Sequence, residues 1–321
     1  MGARLEFSRL RGISIVIPCY QTPGTFEQIC DELLEHVGPL TYEIELVLVD
    51  DGSPDDTWER IVRVTETRNW VRGLRLSRNY GQHNALLAGL RDASHDVVIT
   101  MDDDLQNPPA EIPRLIAALD EDIDLVYGTP AAEAHTLFRN LASVSTKRLM
   151  SRLLGPDVDA KTSAFRVFRR PLLNSSRLSS DPFISIDVLL SWATTRVSFI
   201  EVDFERRQAG TSGYTLTKLF RHALNMVTGY SVRPLRLVSG LGLIISIFGF
   251  FLLGFTLVRF IIEPSDVEGF TFLASSVALF SGVQLLSLGI FGEYLARVHF
   301  RSMGRPSYLV RDQTDPQRLD D

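Results

Sequence analysis

The chain has 321 residues, of which 45% are hydrophobic, and its formal net charge is −6 at pH 7. This length suits one large domain or two small ones with a sizeable core, and no long basic stripe precedes the apolar C-terminal runs, which argues against a nucleic-acid binder. The two cysteines, Cys19 and Cys30, lack metal-ligand spacing and are too few for a disulfide framework, which fits a reducing compartment.

In the N-terminal third, short apolar runs rich in β-branched residues alternate with longer helical patterns. The predicted strands are Ile13–Ile17, Ile44–Val49, Val71–Leu76 and Val97–Met101, and the predicted helices are about Thr25–Val37, Asp56–Thr67 and Gln82–Asp92. This alternation predicts an α/β fold with βαβ units and a mostly parallel sheet flanked by helices. Ligands of such folds bind beyond the carboxyl ends of the strands, so the polar residues there are the first candidates for a site.

Two adjacent acids, Asp50 and Asp51, follow the second strand. They are candidates to accept hydrogen bonds from a nucleobase N–H and a ribose hydroxyl. In the alternative interpretation this stretch only starts the next helix, with Ser53 or Asp55 as its N-cap. Neither a G-x-G-x-x-G pattern nor a P-loop pattern occurs, which argues against NAD binding and ATP hydrolysis.

Three consecutive acids, Asp102, Asp103 and Asp104, follow the fourth strand. Three neighbouring carboxylates at the end of a buried strand repel one another unless a cation is present. Asp102 and Asp104 are two positions apart, so their side chains could face the same side of the strand end. With Gln106 they offer oxygen ligands for Mg²⁺ or Mn²⁺, which typically bridge carboxylates and substrate phosphates. The alternative is a solvated acidic turn that caps a helix starting near Pro109.

Two long apolar runs, Leu237–Val258 and Phe272–Ala296, predict a pair of transmembrane helices; buried core helices are the alternative. Arginines flank the pair: Arg233 and Arg236 lie before it, and Arg297, Arg301 and Arg305 after it. The short connector, Ile262–Gly269, carries Glu263, Asp266 and Glu268 and no Lys or Arg. The positive-inside rule therefore predicts a two-pass integral membrane protein with both termini in the cytosol. Residues 1–12 lack the apolar region of a cleavable signal peptide, which agrees with a cytosolic N-terminal domain.

Before the first run, apolar residues from Leu216 to Val227 recur at helical spacing, with cations on the other faces. This pattern favours an amphipathic helix in the membrane interface, near anionic lipid; packing on the N-terminal domain is the alternative. The predicted organisation is a cytosolic domain over residues 1–212, a juxtamembrane segment over 213–236, two transmembrane helices over 237–298 and a cytosolic tail over 299–321.

Four motifs in combination resemble family 2 glycosyltransferases of GT-A fold, and within them the polyprenyl-phosphate glycosyltransferases. The motifs are Ile15-Val16-Ile17-Pro18-Cys19-Tyr20, Val49-Asp50-Asp51-Gly52-Ser53, Arg78-Asn79-Tyr80-Gly81-Gln82-His83 and the segment from Asp102 to Pro109. The resemblance covers nearly the whole chain, including the two predicted spans. It implies transfer of a sugar from a nucleoside-diphosphate sugar to a polyprenyl phosphate of undecaprenyl or dolichyl type, with inversion of configuration.

The resemblance also implies roles for individual residues. The nucleotide-sugar site comprises Pro18, Tyr20, Asp50, Asp51, Asp102 and Asp103, and the metal ligands are Asp102, Asp104 and Gln106. The catalytic residues are Asp104, Asp159 and Arg166, and the acceptor-phosphate contacts are Arg139, Arg206, Arg207, Ser212 and Lys218. A phosphate acceptor is already an anionic nucleophile, so a strong general base is unnecessary. Relatives form homo-oligomers, and a tetramer is therefore an expectation by resemblance.

Three alternatives compete with this prediction. A processive polysaccharide synthase shares the fold, but the chain has no Gln-x-x-Arg-Trp segment and too few apolar runs for a channel. A membrane-anchored scaffold that binds a sugar nucleotide without turnover is a second alternative, which the intact set of oxygen ligands Asp102, Asp104 and Gln106 disfavours. In a third, the enzyme glycosylates a protein or glycan and the spans serve only as an anchor.

Overall fold

The computed structural model describes residues 11–22, 24, 26–41, 43–130, 162–174, 185–203, 233–262, 270–304 and 306–314. These residues form two compact units. The first contains a β-sheet with its flanking helices and the segment that follows residue 303, and the second contains two long helices. The structure therefore separates an α/β part of the chain from a helical part.

The described strands form one eight-stranded sheet in the order β7-β5-β6-β4-β1-β2-β3-β8. The strands are β1 (Gly12–Cys19), β2 (Glu43–Asp50), β3 (Val71–Leu76), β4 (Val97–Thr100), β5 (Leu125–Pro130), β6 (Arg166–Arg169), β7 (Val197–Val202) and β8 (Val310–Gln313). The pairs β1–β2, β1–β4, β2–β3 and β5–β7 are parallel, whereas β6 and β8 pair antiparallel with their neighbours. The predicted mostly parallel sheet is confirmed.

Helices cover both faces of the sheet. They are α1 (Phe26–His36), α2 (Thr57–Thr67), α3 (Gln82–Asp92), α4 (Ile112–Ala117) and α5 (Ile186–Ala193), with short 3₁₀ turns at Gly38–Leu40, Pro109–Glu111 and Arg170–Asn174. One apolar core joins α1, α2 and α4 to one face, and a second joins α3 and α5 to the other. The central strand alternates between them, with Ile15 in the first core and Val16 in the second, as the two-residue period of a strand requires.

Helix α3 packs unusually close to the sheet. A Cβ atom at Gly89 would lie 2.4 Å from Cγ1 of Val16 and 2.9 Å from Cγ2 of Val49, so a larger residue there would push the helix away from the strands. This contact matters for function because α3 begins at Gln82, directly beyond the carboxyl end of β3.

The second unit contains α6 (Arg233–Ile262) and α7 (Phe270–Ser302), which are 30 and 33 residues long. They include the two apolar runs predicted as membrane spans, and large apolar side chains such as Leu243 and Phe250 are exposed on them. The structure describes only part of the side chains of these helices. Among the described residues, no helix is both long enough and apolar enough to cross a membrane. The two predicted spans are therefore not confirmed and stay a prediction.

Candidate active site

An open cleft of about 300 Å³ lies beyond the carboxyl ends of the central strands. Its lining residues are Pro18, Cys19, Tyr20, Asp51, Asn79, Gln82, Asp102, Asp103 and Asp104. The chain runs outward from β1 through β2 to β3 and then crosses back to β4 on the other side of β1. The cleft therefore lies where the strand order reverses, which is where ligands bind in open α/β sheets.

Asp51 anchors the loop between β3 and α3 to the cleft. Its two carboxylate oxygens accept hydrogen bonds from the backbone N–H groups of Tyr80, at 2.7 Å, and Gly81, at 2.8 Å. Burial raises the pKa of Asp51 even though these hydrogen bonds favour its charged form. The anchor positions the loop that carries Asn79 and Gln82, which both line the cleft.

Asp50, the adjacent acid, points elsewhere. It is fully buried, its Oδ1 accepts a hydrogen bond from the Ser53 N–H at 2.9 Å, and its Oδ2 lies 3.4 Å from Nε of Arg75. Burial raises the pKa of Asp50, and the Arg75 charge opposes that rise. Of the two acids, only Asp51 is among the residues that line the cleft. The structure gives that place to Asp51, and Asp50 instead fixes the turn that follows β2.

The turn after Asp51 depends on Gly52. Its φ of +67° lies in the left-handed region, and a Cβ there would come within 2.5 Å of the Arg78 carbonyl carbon. Close approach of two loops at this point is therefore possible only for glycine. Ser53 joins this turn to the loop after β1, since its Oγ accepts a hydrogen bond from the Gln21 N–H at 3.0 Å. This contact differs from the N-cap role predicted for Ser53.

The three consecutive acids line the cleft, but each is held by a different partner. Asp102 accepts a hydrogen bond from Nε2 of Gln82 at 2.7 Å, Asp103 accepts one from Oγ1 of Thr22, and Asp104 accepts one from the backbone N–H of Gln106 at 3.1 Å. Burial raises the pKa of Asp103. Leu105 adopts φ = +57°, an uncommon conformation for this residue type, within the turn that displays the acids.

The acids fit a divalent cation that is shared with a substrate. Mg²⁺ typically binds one or two carboxylates and takes its remaining ligands from water and substrate phosphates. Asp102 and Asp104 supply two such carboxylates on the cleft wall, as predicted, whereas the side chain of Gln106 is not among the described lining residues. Among the described residues, no three His, Cys, Asp or Glu side chains form a metal-holding group. The two carboxylates Asp102 and Asp104 suit a cation that takes its other ligands from phosphate oxygens.

The end of β1 and the loop after it form another wall of the cleft, which is lined by Pro18 of the strand and the half-exposed Tyr20 of the loop. Gln21 has φ = +50°, which turns the chain sharply beyond Tyr20. Arg60 of α2 holds the far side of this turn, because its guanidinium donates to the carbonyl oxygens of Thr22, at 2.8 Å, and Gly24, at 3.1 Å. Of the predicted nucleotide contacts, Pro18 is thus held in β1, and Tyr20 precedes a turn that Arg60 supports.

Arg166 lies away from the lining residues of this cleft. On β6 it is 1% exposed, its Nε donates to Oγ1 of Thr100 at 2.8 Å, and its Nη1 pairs with the carboxylate of Asp187 at the start of α5. The Tyr127 hydroxyl donates to the same carboxylate at 3.3 Å. These contacts tie β4, β5, β6 and α5 together, and the predicted catalytic role of Arg166 stays a prediction.

Three lining residues were not assigned a role from the sequence: Cys19, Asn79 and Gln82. The motif that contains Asn79 and Gln82 follows β3. The principle that ligands bind beyond the carboxyl ends of the strands, which singled out the acids after β2 and β4, therefore also indicates this motif. Cys19 is the last residue of β1 and is buried, which raises the pKa of its thiol. Six predicted residues lie outside the described part of the chain, namely Arg139, Asp159, Arg206, Arg207, Ser212 and Lys218.

The sheet topology and the acidic cleft at its switch point define a GT-A type α/β protein. The chain belongs to glycosyl transferase family 2, whose family profile matches residues 14–176, and it is a glycosyltransferase. The family that the four sequence motifs predicted is therefore confirmed.

Relatives match this chain over nearly its whole length. The undecaprenyl-phosphate 4-deoxy-4-formamido-L-arabinose transferase of Photorhabdus laumondii is 30% identical over 320 residues, which cover 99% of this chain and 98% of that protein. The enzyme of the same name from Salmonella choleraesuis is 33% identical over 311 residues, 96% of this chain and 95% of that protein. Glucosyl-3-phosphoglycerate synthase of Mycobacterium tuberculosis shares the fold, with a TM-score of 0.50 and 22% identity over 69% of this chain and 80% of that chain.

Proposed function

We propose that this protein transfers a sugar from a nucleoside-diphosphate sugar to a polyprenyl phosphate, with inversion at the anomeric carbon. Two relatives whose names specify an undecaprenyl-phosphate transferase match it over at least 95% of both chains. The observation in the structure that carries the proposal is the pair Asp102 and Asp104 on the wall of a cleft at the switch point of the sheet. A nucleoside-diphosphate sugar supplies the phosphate oxygens that such a pair of carboxylates needs to hold a divalent cation.

Different residues of the cleft bind different parts of the donor. Tyr20 and Pro18 line the side formed by the β1 loop, and Asp51 lines the cleft while its carboxylate fixes the facing loop. Asp102 and Asp104 would hold Mg²⁺ or Mn²⁺, which supplies Lewis-acid stabilisation to the departing nucleoside diphosphate. Gln82 holds Asp102 in place through its side-chain amide.

The acceptor phosphate is the nucleophile in this proposal. It is anionic at neutral pH, so the protein needs to bring two phosphate groups together rather than remove a proton. Arginines suit this task because the guanidinium group binds phosphate in a bidentate manner. The proposed acceptor contacts are Arg139, Arg206, Arg207, Ser212 and Lys218, with Asp159 orienting the acceptor or the sugar. Arg166 is proposed to act alongside them, although in this structure it is paired with Asp187.

We also propose that the reaction takes place at the cytosolic face of a membrane. The apolar runs in α6 and α7, the arginines at their outer flanks and the acidic connector support this orientation. The amphipathic pattern from Leu216 to Val227 would place a helix in the same layer as the acceptor's phosphate. Assembly into a homo-oligomer, with a tetramer as the expected size, belongs to the same proposal.

A donor and acceptor screen tests the proposal. The full-length protein is incubated with UDP-, GDP- and dTDP-sugars, and with nucleotide-activated 4-deoxy-4-formamido-L-arabinose, in the presence or absence of undecaprenyl phosphate and Mg²⁺ or Mn²⁺. We expect a lipid-linked sugar, detected by mass, and release of nucleoside diphosphate that requires both the metal and the lipid. Modification of a soluble acceptor instead of the lipid, or donor binding without turnover, would overturn it.

Two variants sharpen this screen. Asp104→Ala removes one proposed metal ligand and is expected to abolish turnover at any metal concentration tested. Asp96→Ala is the matched control, because Asp96 is an exposed acid that precedes the other end of β4. Full activity of Asp104→Ala would refute the metal assignment without affecting the choice of acceptor.

A further inference from the structure

The C-terminal strand β8 is held on the edge of the sheet by its backbone. All four of its side chains are exposed, so apolar burial contributes little to its placement. Hydrogen bonds also hold its flanks: Leu309 accepts one from the Ser77 N–H at 2.9 Å, and the Thr314 N–H donates to Gly73 O at 3.0 Å. Oγ1 of Thr314 in turn accepts a bond from the Gly73 N–H at 2.8 Å. The segment therefore clamps β3 along its length.

The first connection from this strand to the cleft runs through the loop between β3 and α3. Ser77, which is held by Leu309, lies at the start of this loop, and its hydroxyl is 2.9 Å from the Tyr80 hydroxyl. The Tyr80 N–H is one of the two donors to Asp51. The same loop leads to Asn79 and Gln82 on the cleft wall. Three hydrogen bonds, Leu309–Ser77, Ser77–Tyr80 and Tyr80–Asp51, thus link the C-terminal segment to a residue that lines the cleft.

The second connection is a chain of three charges. Asp312 of β8 lies 3.9 Å from Nη1 of Arg75, and Nε of the same arginine lies 3.4 Å from Oδ2 of Asp50. This Oδ2 atom is buried and has no hydrogen-bond partner among the residues that the structure describes, and the Arg75 charge compensates it. Asp50 directly precedes Asp51, and a shift of Arg75 would disturb the turn that carries both acids.

A third contact joins the segment to the helix that begins at the cleft. The guanidinium group of Arg91, in the last turn of α3, lies 5.4 Å from the ring centroid of Tyr308, and its Nη1 donates to the Tyr308 hydroxyl at 3.3 Å. The residues from Tyr308 to Thr314 therefore contact β3, the loop after it and α3. These are the elements that position Asn79, Tyr80 and Gln82.

We propose that β8 is a positioning element of the donor cleft, which acts through Leu309–Ser77 and Asp312–Arg75–Asp50 to set the loop opposite the three acids. The proposal rests on the proposed function in one respect, namely that the ligand of the cleft is a nucleoside diphosphate. Because β8 follows α7 by only a few residues, the cleft is complete only after the chain has continued beyond both long helices and paired with β3. The C-terminal segment is therefore needed for sugar-nucleotide binding.

The test uses full-length variants and three nucleotide probes, UDP, GDP and dTDP, with Mg²⁺. Asp312→Ala removes the outer charge of the chain, Asp312→Glu retains it, and Thr314→Pro removes both the N–H and the hydroxyl that bind Gly73. Glu59→Ala, which removes an exposed carboxylate from α2, is the control. Calorimetry gives the dissociation constant for the nucleotide that the wild type binds best, and kinetics give KM for donor and acceptor separately.

We expect Asp312→Ala to weaken nucleotide binding and raise the donor KM by roughly threefold to tenfold, which lies within the coupling energies measured along residue networks. The acceptor KM should stay unchanged, and Asp312→Glu should restore the donor KM. Thr314→Pro should weaken nucleotide binding more than Asp312→Ala does. If Thr314→Pro fails to fold, nucleotide binding by Asp312→Ala alone tests the proposal. Nucleotide binding within twofold of wild type in both Asp312→Ala and folded Thr314→Pro would overturn the proposal.

Hydrogen exchange separates this proposal from the proposed function. If the wild type binds none of the three probes, the proposed function is wrong. The exchange rates of the amides of residues 77–82 still report on the positioning role of β8 in that case. We expect these amides to exchange faster in Asp312→Ala than in the wild type and in Glu59→Ala. Identical exchange in all three proteins would refute the positioning role whatever the ligand is.

Discussion

Oγ1 of Thr22 donates a hydrogen bond to Oδ2 of Asp103, a residue 81 positions further along the chain. This bond joins the loop after β1 to the end of β4, and these two strands flank the switch point of the sheet. Thr22 is 1% exposed, and Asp103 is sufficiently buried that its pKa is raised. The middle acid of the three therefore uses one oxygen to hold the loop after β1, whereas Asp102 is held by Gln82 of α3 and Asp104 by the backbone of its own turn.

The first prediction concerns this bond. Thr22→Val keeps the shape of the side chain but removes the donor, so a buried carboxylate oxygen loses its partner and the free energy of unfolding should fall by about 1–3 kcal/mol. Chemical denaturation measures the change. Thr22→Ser, which retains a hydroxyl, is the control and should keep most of the stability. Equal stability of the Val and Ser variants would show that the bond contributes nothing.

The second prediction concerns the amide of Gln82, which binds Asp102 at 2.7 Å. Groups that orient a metal ligand typically affect metal affinity by tenfold to a hundredfold, and because Gln82 is exposed we expect Gln82→Ala to weaken Mn²⁺ binding by about tenfold. Titration of Mn²⁺ by electron paramagnetic resonance, with nucleoside diphosphate present, measures it. Gln28→Ala, on the exposed face of α1, is the control for loss of a surface amide. An unchanged Mn²⁺ affinity in Gln82→Ala would count against the proposed ligand Asp102.

The regular part of the sheet could be predicted because its strands are buried on both faces. The predicted β3 and α3 agree with the structure at both ends. The observed β1 and β2 extend one or two residues beyond the prediction at each end, and β4 ends one residue earlier than predicted. Strand β8 could not be predicted, because Val310–Gln313 is short, exposed and without apolar alternation. It forms only because the edge of β3 offers unpaired backbone groups.

The site shows a different limit of sequence reasoning. A strand end containing Asp50 and Asp51 predicts that one acid faces a ligand, but the choice depends on how the strand sits in the sheet. The structure directs Asp51 into the cleft and Asp50 to Arg75. Likewise, the local pattern around Arg166 does not contain its partner Asp187, which lies on a separate helix. Contacts between distant segments decide these roles, and no local pattern carries that information.

The third prediction is a pH dependence at the opposite end of the sheet. Burial acts to raise the pKa of Glu45, but hydrogen bonds from Ser14 and Ser94 together with the Arg72 charge outweigh it, so the pKa of Glu45 is lowered. A carboxyl group whose pKa is lower in the folded state stabilises the protein above its unfolded pKa, and this contribution is lost as the pH falls through the folded value.

We therefore expect Glu45→Gln to reduce the free energy of unfolding at neutral pH by about 2 kcal/mol, since it removes hydrogen bonds to a charged group. The difference from wild type should shrink as the pH falls below about 4, where the wild-type carboxyl group also becomes neutral. Denaturation curves across this pH range measure it. Glu43→Gln, an exposed neighbour on the same strand, should change little; a pH-independent difference for Glu45→Gln would contradict the electrostatic origin.

The fourth prediction separates a structural role of Arg166 from a catalytic one. Arg166 is almost fully buried and pairs with Asp187, so Arg166→Met leaves a carboxylate without its cation. Removing one partner of a buried pair costs about 3–5 kcal/mol, and because Asp187 retains 20% of its side-chain exposure we expect the lower end of that range. Arg169→Met changes a more exposed arginine on the same strand and should cost under about 1 kcal/mol.

Activity measured at a temperature where Arg166→Met remains folded completes this test. If Arg166 only joins β6 to α5, the folded fraction of the variant should retain kcat, and a second change, Asp187→Leu, should recover stability by removing the unpaired charge. Unfolding curves for the two single variants and the double variant measure this coupling. Unchanged stability of Arg166→Met combined with a lost kcat would instead place the guanidinium at the acceptor phosphate or the transferred sugar, in line with the catalytic role that the family resemblance implies.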